Sequence, residues 1–247
     1  MLRRHPQVHM SRTKELHFFD RNYARGVEWY TAQFEVTGRH KQVGETTPNY
    51  MFRDRARSRL IATLPHARIV AILRNPVERA YSHYWHDARR FELQRHSRPV
   101  PPTFEAALAQ ERPDTFASLA PEPPGGGGPA PVRPSYVGRG EFLGQLEPFE
   151  TAFSRARLHV ILLEDLVADR VGTLRALFSF LEVKTAPAEV IDEVHVNRYR
   201  EPDETGRARP AKYPPMERAT RVLLYEHYVS HNARLGRWLG RDLSHWR

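Results

Sequence analysis

Two apolar runs stand out along the chain, Arg68–Leu73 (RIVAIL) and Leu158–Leu163 (LHVILL). Both have the length of buried parallel strands. The shorter segment Lys41–Glu45 reads as a further strand. Elsewhere apolar positions recur at helical spacing: Arg53–Leu64, Pro76–Phe91, Gly140–Phe153, Val171–Leu181 and Pro215–Leu239. Strands alternating with helices predict an α/β fold with a parallel sheet. Ser97–Ser135 breaks the pattern, holding ten of the twenty prolines and the run Gly125–Gly128. It predicts an exposed, mobile loop outside the core, with one short helix near Thr103–Glu111. The absence of internal repeats predicts a single domain, residues 1–247, with a flexible Pro/Gly-rich insertion at about 97–135.

The most informative stretch is RIVAILRNPVERAYSHYWHDARRF, residues 68–91. Arg74 ends the strand, Asn75 stands at an N-cap, Pro76 at the first helical position and Glu78 at the third. The chain thus leaves a strand and enters a helix within two residues. Ligands of open α/β sheets bind at strand carboxyl ends, and a helix start offers free N–H groups to an anion. Val77, Ala80, Tyr84, Ala88 and Phe91 form an apolar stripe, and Arg79, Ser82, His83, His86 and Arg90 a polar one. Arg74 and Ser82 could both reach one phosphate, by charge and by hydroxyl. The same pattern also fits a solvated helix face with an arginine pairing a carboxylate. His83 and His86 have no third ligand placed with them, so no metal is expected.

Composition narrows the classes. The 247 residues contain no cysteine, which excludes disulfides, thiolate chemistry and Cys-ligated metal centres. No run approaches the roughly 18 apolar residues of a membrane span. The first residues lack an apolar signal region, so a cytoplasmic location is expected. The net charge of +9 favours anionic partners. The arginines are dispersed, without the basic patch and interleaved aromatics of a nucleic-acid surface, so no nucleic-acid partner is expected.

The stretch from Arg74 through Ser82 to Tyr84 (RNPVERAYSHY) resembles the 3′-phosphate-binding motif of sulfotransferases that use 3′-phosphoadenosine 5′-phosphosulfate (PAPS), the heparan-sulfate branch and its bacterial relatives above all. The resemblance extends to Lys14–Asp20 (KELHFFD) with Tyr23, Gly26, Trp29 and Tyr30. It continues in Gly44–Tyr50 (GETTPNY), in Leu163–Asp169 (LEDLVAD) with Leu174 to Leu181, and in Gly206–Pro210 (GRARP). It implies a P-loop-type three-layer α/β fold, a central parallel sheet flanked by helices. It implies transfer of a sulfuryl group from PAPS to a hydroxyl or amine of a carbohydrate or other small acceptor, without a metal. By resemblance Arg74 and Ser82 hold the 3′-phosphate, and Gly206 and Arg207 belong to the loop that closes over the donor. Glu15 is the base, and His17 and Asp20 shape the acceptor site. Beside Leu16 and the Phe18–Phe19 pair, partial burial is expected to raise the pKa of Glu15. Lys14 and Thr46 are candidate substrate contacts, Thr46 standing where many polysaccharide-modifying members carry a lysine. Glu45 is expected to end a strand and orient its neighbours.

The family's first strand and "K-x-G-T-(T/S)" loop, which cradles the 5′-phosphosulfate, have no counterpart in these residues; Leu2–Pro6 (LRRHP) resembles the end of the helix that follows that loop. The expectation is that the chain as written binds PAPS poorly, transfers little sulfate and leaves a sheet edge unpaired. The alternative is a non-catalytic relative that only binds 3′-phosphoadenosine nucleotides.

Overall fold

The short apolar runs pair as parallel ladders. In this computed structural model β1 (Val8–Met10) runs parallel to β2 (Gln42–Gly44), with Val8 opposite Gln42. β3 (Ile69–Leu73) runs parallel to β4 (Leu158–Leu162), with Ile69 opposite Leu158 and Leu73 opposite Leu162. The structure describes residues 2–92, 101–116, 135–185, 200–202, 208–210 and 213–246. They form two units: Met1–Leu73 with Gly144–Val196, and Arg74–Leu143 with Asn197–Arg247.

The first unit holds both parallel ladders together with α1 (Gly26–Thr31), α2 (Asn49–Phe52), α3 (Asp54–Thr63), α7 (Leu143–Phe153), α8 (Leu163–Ala168) and α9 (Arg170–Phe180). Val8 of β1 and Ile161 of β4 share a core with Leu166, Leu174, Leu177 and Phe178. Asp169 starts α9 by accepting from the Gly172 N–H at 2.8 Å, the side-chain cap that satisfies a free helix amide. β3 is less buried than its composition predicts: Ala71 and Leu73 are buried, but Ile72 is 58% exposed. Its alternate positions therefore face different surroundings, and an all-apolar run cannot report which side is covered.

The second unit is built on α4 (Pro76–Glu92), α5 (Phe104–Glu111), α6 (Pro113–Phe116) and α10 (Arg218–Leu239), with an antiparallel pair β5 (Arg200–Pro202) and β6 (Ala208–Pro210). Its core joins Val77, Ala80 and Tyr84 of α4 to Phe104, Ala107 and Leu108 of α5, Tyr136, Val137, and Leu224 and Tyr228 of α10. Here the structure corrects the expectation that 97–135 stays outside the core. Phe104, Ala107, Leu108 and Phe116 are 3% exposed or less. The Thr103 hydroxyl caps α5 by accepting from the Ala106 N–H at 3.1 Å. Residues 104, 107 and 108 then fall on one helix face, so prolines around the helix do not prevent its burial. The Gly125–Gly128 run lies outside the described residues.

Residues 135–138 are held by one carboxylate. Glu111 accepts from the Ser135 hydroxyl at 3.0 Å and from the backbone N–H groups of Val137 at 2.9 Å and Gly138 at 2.9 Å. The Tyr228 hydroxyl donates to the Val137 carbonyl at 2.8 Å. Gly140 completes this approach: a Cβ there would lie 2.6 Å from the Tyr228 hydroxyl and 2.8 Å from Pro76 Cβ, so a side chain does not fit.

Candidate active site

Within the second unit, the start of α4 forms as its sequence predicts. The Asn75 side-chain oxygen accepts from the Val77 N–H at 2.9 Å and the Glu78 N–H at 3.4 Å, and Pro76 needs no partner for a missing N–H. The cap alters one expectation. The amides foreseen as free for an anion are taken by Asn75, so anion binding there falls to side chains. Arg74 and Ser82 are both half-buried. Asn75 and Ser82 are seven apart and share a helix face, about 10 Å along the axis. Among the described residues Arg74 makes no hydrogen bond or ion pair. The Ser82 hydroxyl lies 3.4 Å from that of Tyr213, whose ring stacks on Trp85 at 5.9 Å. In the sequence only its nearness to GRARP marks Tyr213. Gly206 and Arg207 lie outside the described residues.

The supposed polar stripe of α4 is corrected as well. Phe91, placed on the apolar side, is 43% exposed. Arg79 and His83 turn inward. The Arg79 guanidinium donates to the Tyr136 carbonyl, and burial beside Arg139 and Arg74 pushes its pKa down to about 10. His83 lies 3.5 Å from Asp87 and packs edge-on against Tyr136; burial, then the Arg79 charge, hold its pKa well below the ordinary imidazole value. Glu141, His227 and His231 cluster within 4.8 Å. Glu141 Oε1 accepts from Arg112 at 2.8 Å and lies 3.2 Å from His227, which makes the cluster an ion-pair network around one carboxylate.

In the first unit the structure brings Glu15, His17 and Asp20 together. His17 Nδ1 lies 3.0 Å from both Asp20 oxygens, and Nε2 lies 3.5 Å from Glu15 Oε2. An ionised Asp20 only accepts, which fixes the proton on Nδ1 and leaves Nε2 facing Glu15. Asn49 donates to Asp20 at 3.0 Å and holds it in place. Glu15 and His17 both adopt left-handed backbone, φ 58° and 51°, a conformation that costs about 1–2 kcal/mol per ordinary residue. A π-helical turn, Phe18–Asn22, follows. Phe18 and Phe19 are fully buried, and Phe18 stacks on Tyr30 at 4.5 Å. Lys14 and Thr46 are exposed.

The Glu15 side chain is 39% exposed. A second carboxyl, Glu45, lies half-buried at the end of β2. It accepts from the Thr47 hydroxyl at 2.6 Å and the Tyr50 hydroxyl at 2.8 Å. Desolvation raises its pKa, against the opposing pull of those hydroxyls, the Tyr30 hydroxyl and the Leu16 backbone N–H. In the sequence Thr47, Asn49 and Tyr50 are only parts of GETTPNY; no local pattern shows that they meet residues 16–20.

The sequence matches the sulfotransferase domain family over residues 1–208. Membrane-associated sulfotransferase kil1 of Dictyostelium discoideum is 35% identical over 113 residues, 44% of this chain and 24% of that protein. Heparan sulfate glucosamine 3-O-sulfotransferase 3B1 of Mus musculus is 29% identical over 183 residues, 74% of this chain and 42% of that protein. The chain thus spans between a quarter and somewhat over two-fifths of these relatives. A solved sulfotransferase structure from Alicyclobacillus acidocaldarius matches with a TM-score of 0.71 at 26% identity, covering 100% of this chain and 91% of that one.

Proposed function

The chain belongs to the sulfotransferase domain family, and from that premise we propose that it transfers a sulfuryl group from PAPS to a hydroxyl or amine of a carbohydrate or other small acceptor. The observation that carries the reading is the Glu15–His17–Asp20 chain, with contacts of 3.5 and 3.0 Å. Glu15 is open enough to meet an acceptor and is backed by an imidazole whose other nitrogen is pinned by a carboxylate. In the proposed step the acceptor oxygen or nitrogen bonds to sulfur. The bond from sulfur to the 5′-phosphate oxygen breaks with its electron pair on the phosphate, and the acceptor proton passes to Glu15. Like phosphoryl transfer, this asks the protein mainly for positioning and charge stabilisation.

Arg74 and Ser82, in the second unit, are the proposed holders of the donor's 3′-phosphate. The support is a guanidinium with no partner among the described residues, ahead of a half-buried hydroxyl on the face of α4 below the cap. Gly206 and Arg207 are proposed as the donor-closing loop, and Lys14 and Thr46 as exposed acceptor contacts. Among the described residues no helix is long and apolar enough to cross a membrane. A cytoplasmic location is part of the proposal, checked by cell fractionation.

The test pairs calorimetry with 3′-phosphoadenosine 5′-phosphate (PAP) and a transfer assay with labelled PAPS over hydroxyl and amine acceptors. The chain as written is set beside one extended upstream by a Lys-x-Gly-Thr-Thr loop. Binding with transfer, stronger in the extended chain, supports the reading. PAP binding without transfer in either form would favour the non-catalytic nucleotide-binding alternative, and no binding in either would overturn both.

A further inference from the structure

We infer that Glu45 is the positioning residue of the Glu15–Asp20 segment, setting its backbone through the direction of two hydroxyl hydrogen bonds. The inference rests on the proposed catalytic reading of that segment. The Thr47 hydroxyl is 2.6 Å from Glu45 Oε2 and accepts from the His17 N–H at 3.4 Å. The Tyr50 hydroxyl is 2.8 Å from Glu45 Oε1 and accepts from the Phe18 N–H at 2.8 Å and the Phe19 N–H at 3.4 Å. A hydroxyl has one proton. A carboxylate, which only accepts, claims the proton of each, so both must turn their lone pairs toward the amides of residues 17–19. Three consecutive N–H groups are thereby received by oxygens of one polarity. The first belongs to left-handed His17, two positions after left-handed Glu15, and such backbone needs over-determination to persist.

Glu45 touches none of Glu15, His17 and Asp20 in this arrangement; it acts through Thr47 and Tyr50 and on the Leu16 N–H between them. Its role depends on hydrogen-bond polarity more than on size, and that separates it from a filler of the same space. A carboxamide at this position keeps the volume but offers one acceptor and one donor. Only one hydroxyl can then donate inward. The other turns its proton toward a backbone N–H, donor against donor.

The test compares the full chain with Glu45→Gln and Glu45→Asp by residue-resolved hydrogen exchange, which needs no turnover. In Glu45→Gln, amides 17–19 are expected to exchange roughly tenfold faster or more, the loss of one or two buried hydrogen bonds, while amides of α4 keep their rates. Glu45→Asp, which keeps the polarity, is expected to restore most of the protection. Unchanged exchange at 17–19 in Glu45→Gln, or an equal rise across the whole first unit, overturns the inference. A transfer assay on the same proteins, with PAPS, separates the two layers. A kcat lowered about tenfold or more with the KM for PAPS unchanged supports positioning of a catalytic segment. Loosened amides with wild-type kcat would leave the exchange result standing and overturn the assignment of Glu15 as base.

Discussion

The two units hold their polar groups by opposite means. In the first, the proposed proton-transfer groups sit on irregular backbone, two left-handed residues and a π turn, beside a half-buried carboxyl and the hydroxyls around it. In the second, Arg74 and Ser82 are carried at the start of a regular helix whose other side is sealed by Val77, Ala80 and Tyr84 in an aromatic-rich core. A proton-transfer group needs an orientation that regular structure does not supply, and strain is the cost of that orientation. An anion grip, the role proposed for Arg74 and Ser82, needs charge at a fixed distance, and a capped helix would supply it without strain.

The largest expected effect tests the division of labour directly. Glu15→Gln keeps the shape of the side chain and removes the proposed base. It is expected to lower kcat by about 10²–10⁴-fold while leaving PAP affinity unchanged by calorimetry. A matching loss of nucleotide affinity would break the comparison, because it would make Glu15 part of the anion grip. The converse variant is Arg74→Ala. Loss of a charge-assisted contact worth about 1.5–3 kcal/mol predicts PAP binding roughly ten- to a hundredfold weaker. Glu15 and the fold of the first unit are expected to stay as they are, read by exchange at residues 17–19.

What the sequence disclosed follows the same line between local and non-local physics. The Asn75–Pro76–Glu78 start of α4 was legible because capping involves residues two and three apart. The cluster of Glu15, His17 and Asp20 came only through resemblance; nothing in KELHFFD by itself announces a left-handed turn. β1 went unseen because three residues, Val8–Met10, are too short to show a period. The inward turn of Arg79 and His83 was hidden because a helical wheel shows one apolar stripe and cannot show a second surface packed by Tyr136. The Glu45 network joins residues about thirty positions apart, a separation at which only the folded chain brings them into contact.

A smaller effect sharpens the view of the second unit as conventionally packed. Tyr228 is fully buried and its hydroxyl donates to the Val137 carbonyl at 2.8 Å. Tyr228→Phe removes one of that carbonyl's two donors, the Gly140 N–H at 2.8 Å remaining, and is expected to destabilise the protein by about 0.5–1.5 kcal/mol in chemical denaturation. Turnover per folded molecule is expected to stay unchanged, since the lost bond lies in the core. A selective loss of turnover at full stability would mean that this core is tuned for activity, as is proposed for the first unit's network.

The pH response separates the units by sign. Burial favours the neutral form of both Glu45 and His83, raising the first pKa and lowering the second. For a carboxyl whose folded pKa is raised, the folded state holds the extra proton above the ordinary carboxyl value, so stability falls as pH rises through that range. For an imidazole whose folded pKa is depressed, the unfolded chain takes up the proton first. Stability from His83 is then complete above the ordinary imidazole value of about 6.5 and is lost as pH falls below it, by at most about 1.4 kcal/mol per pH unit. Asp87 opposes this by attracting the charged form, while Arg79, Arg139 and His86 reinforce it. Denaturation midpoints of the wild type and His83→Gln, measured from pH 7.5 down to about 5, isolate this contribution from the other histidines. The variant is expected to lose less stability over that interval. Parallel curves would mean that His83 gains a proton in the folded state as readily as in the unfolded one, and the buried imidazole would then be an ordinary ion-pair partner of Asp87.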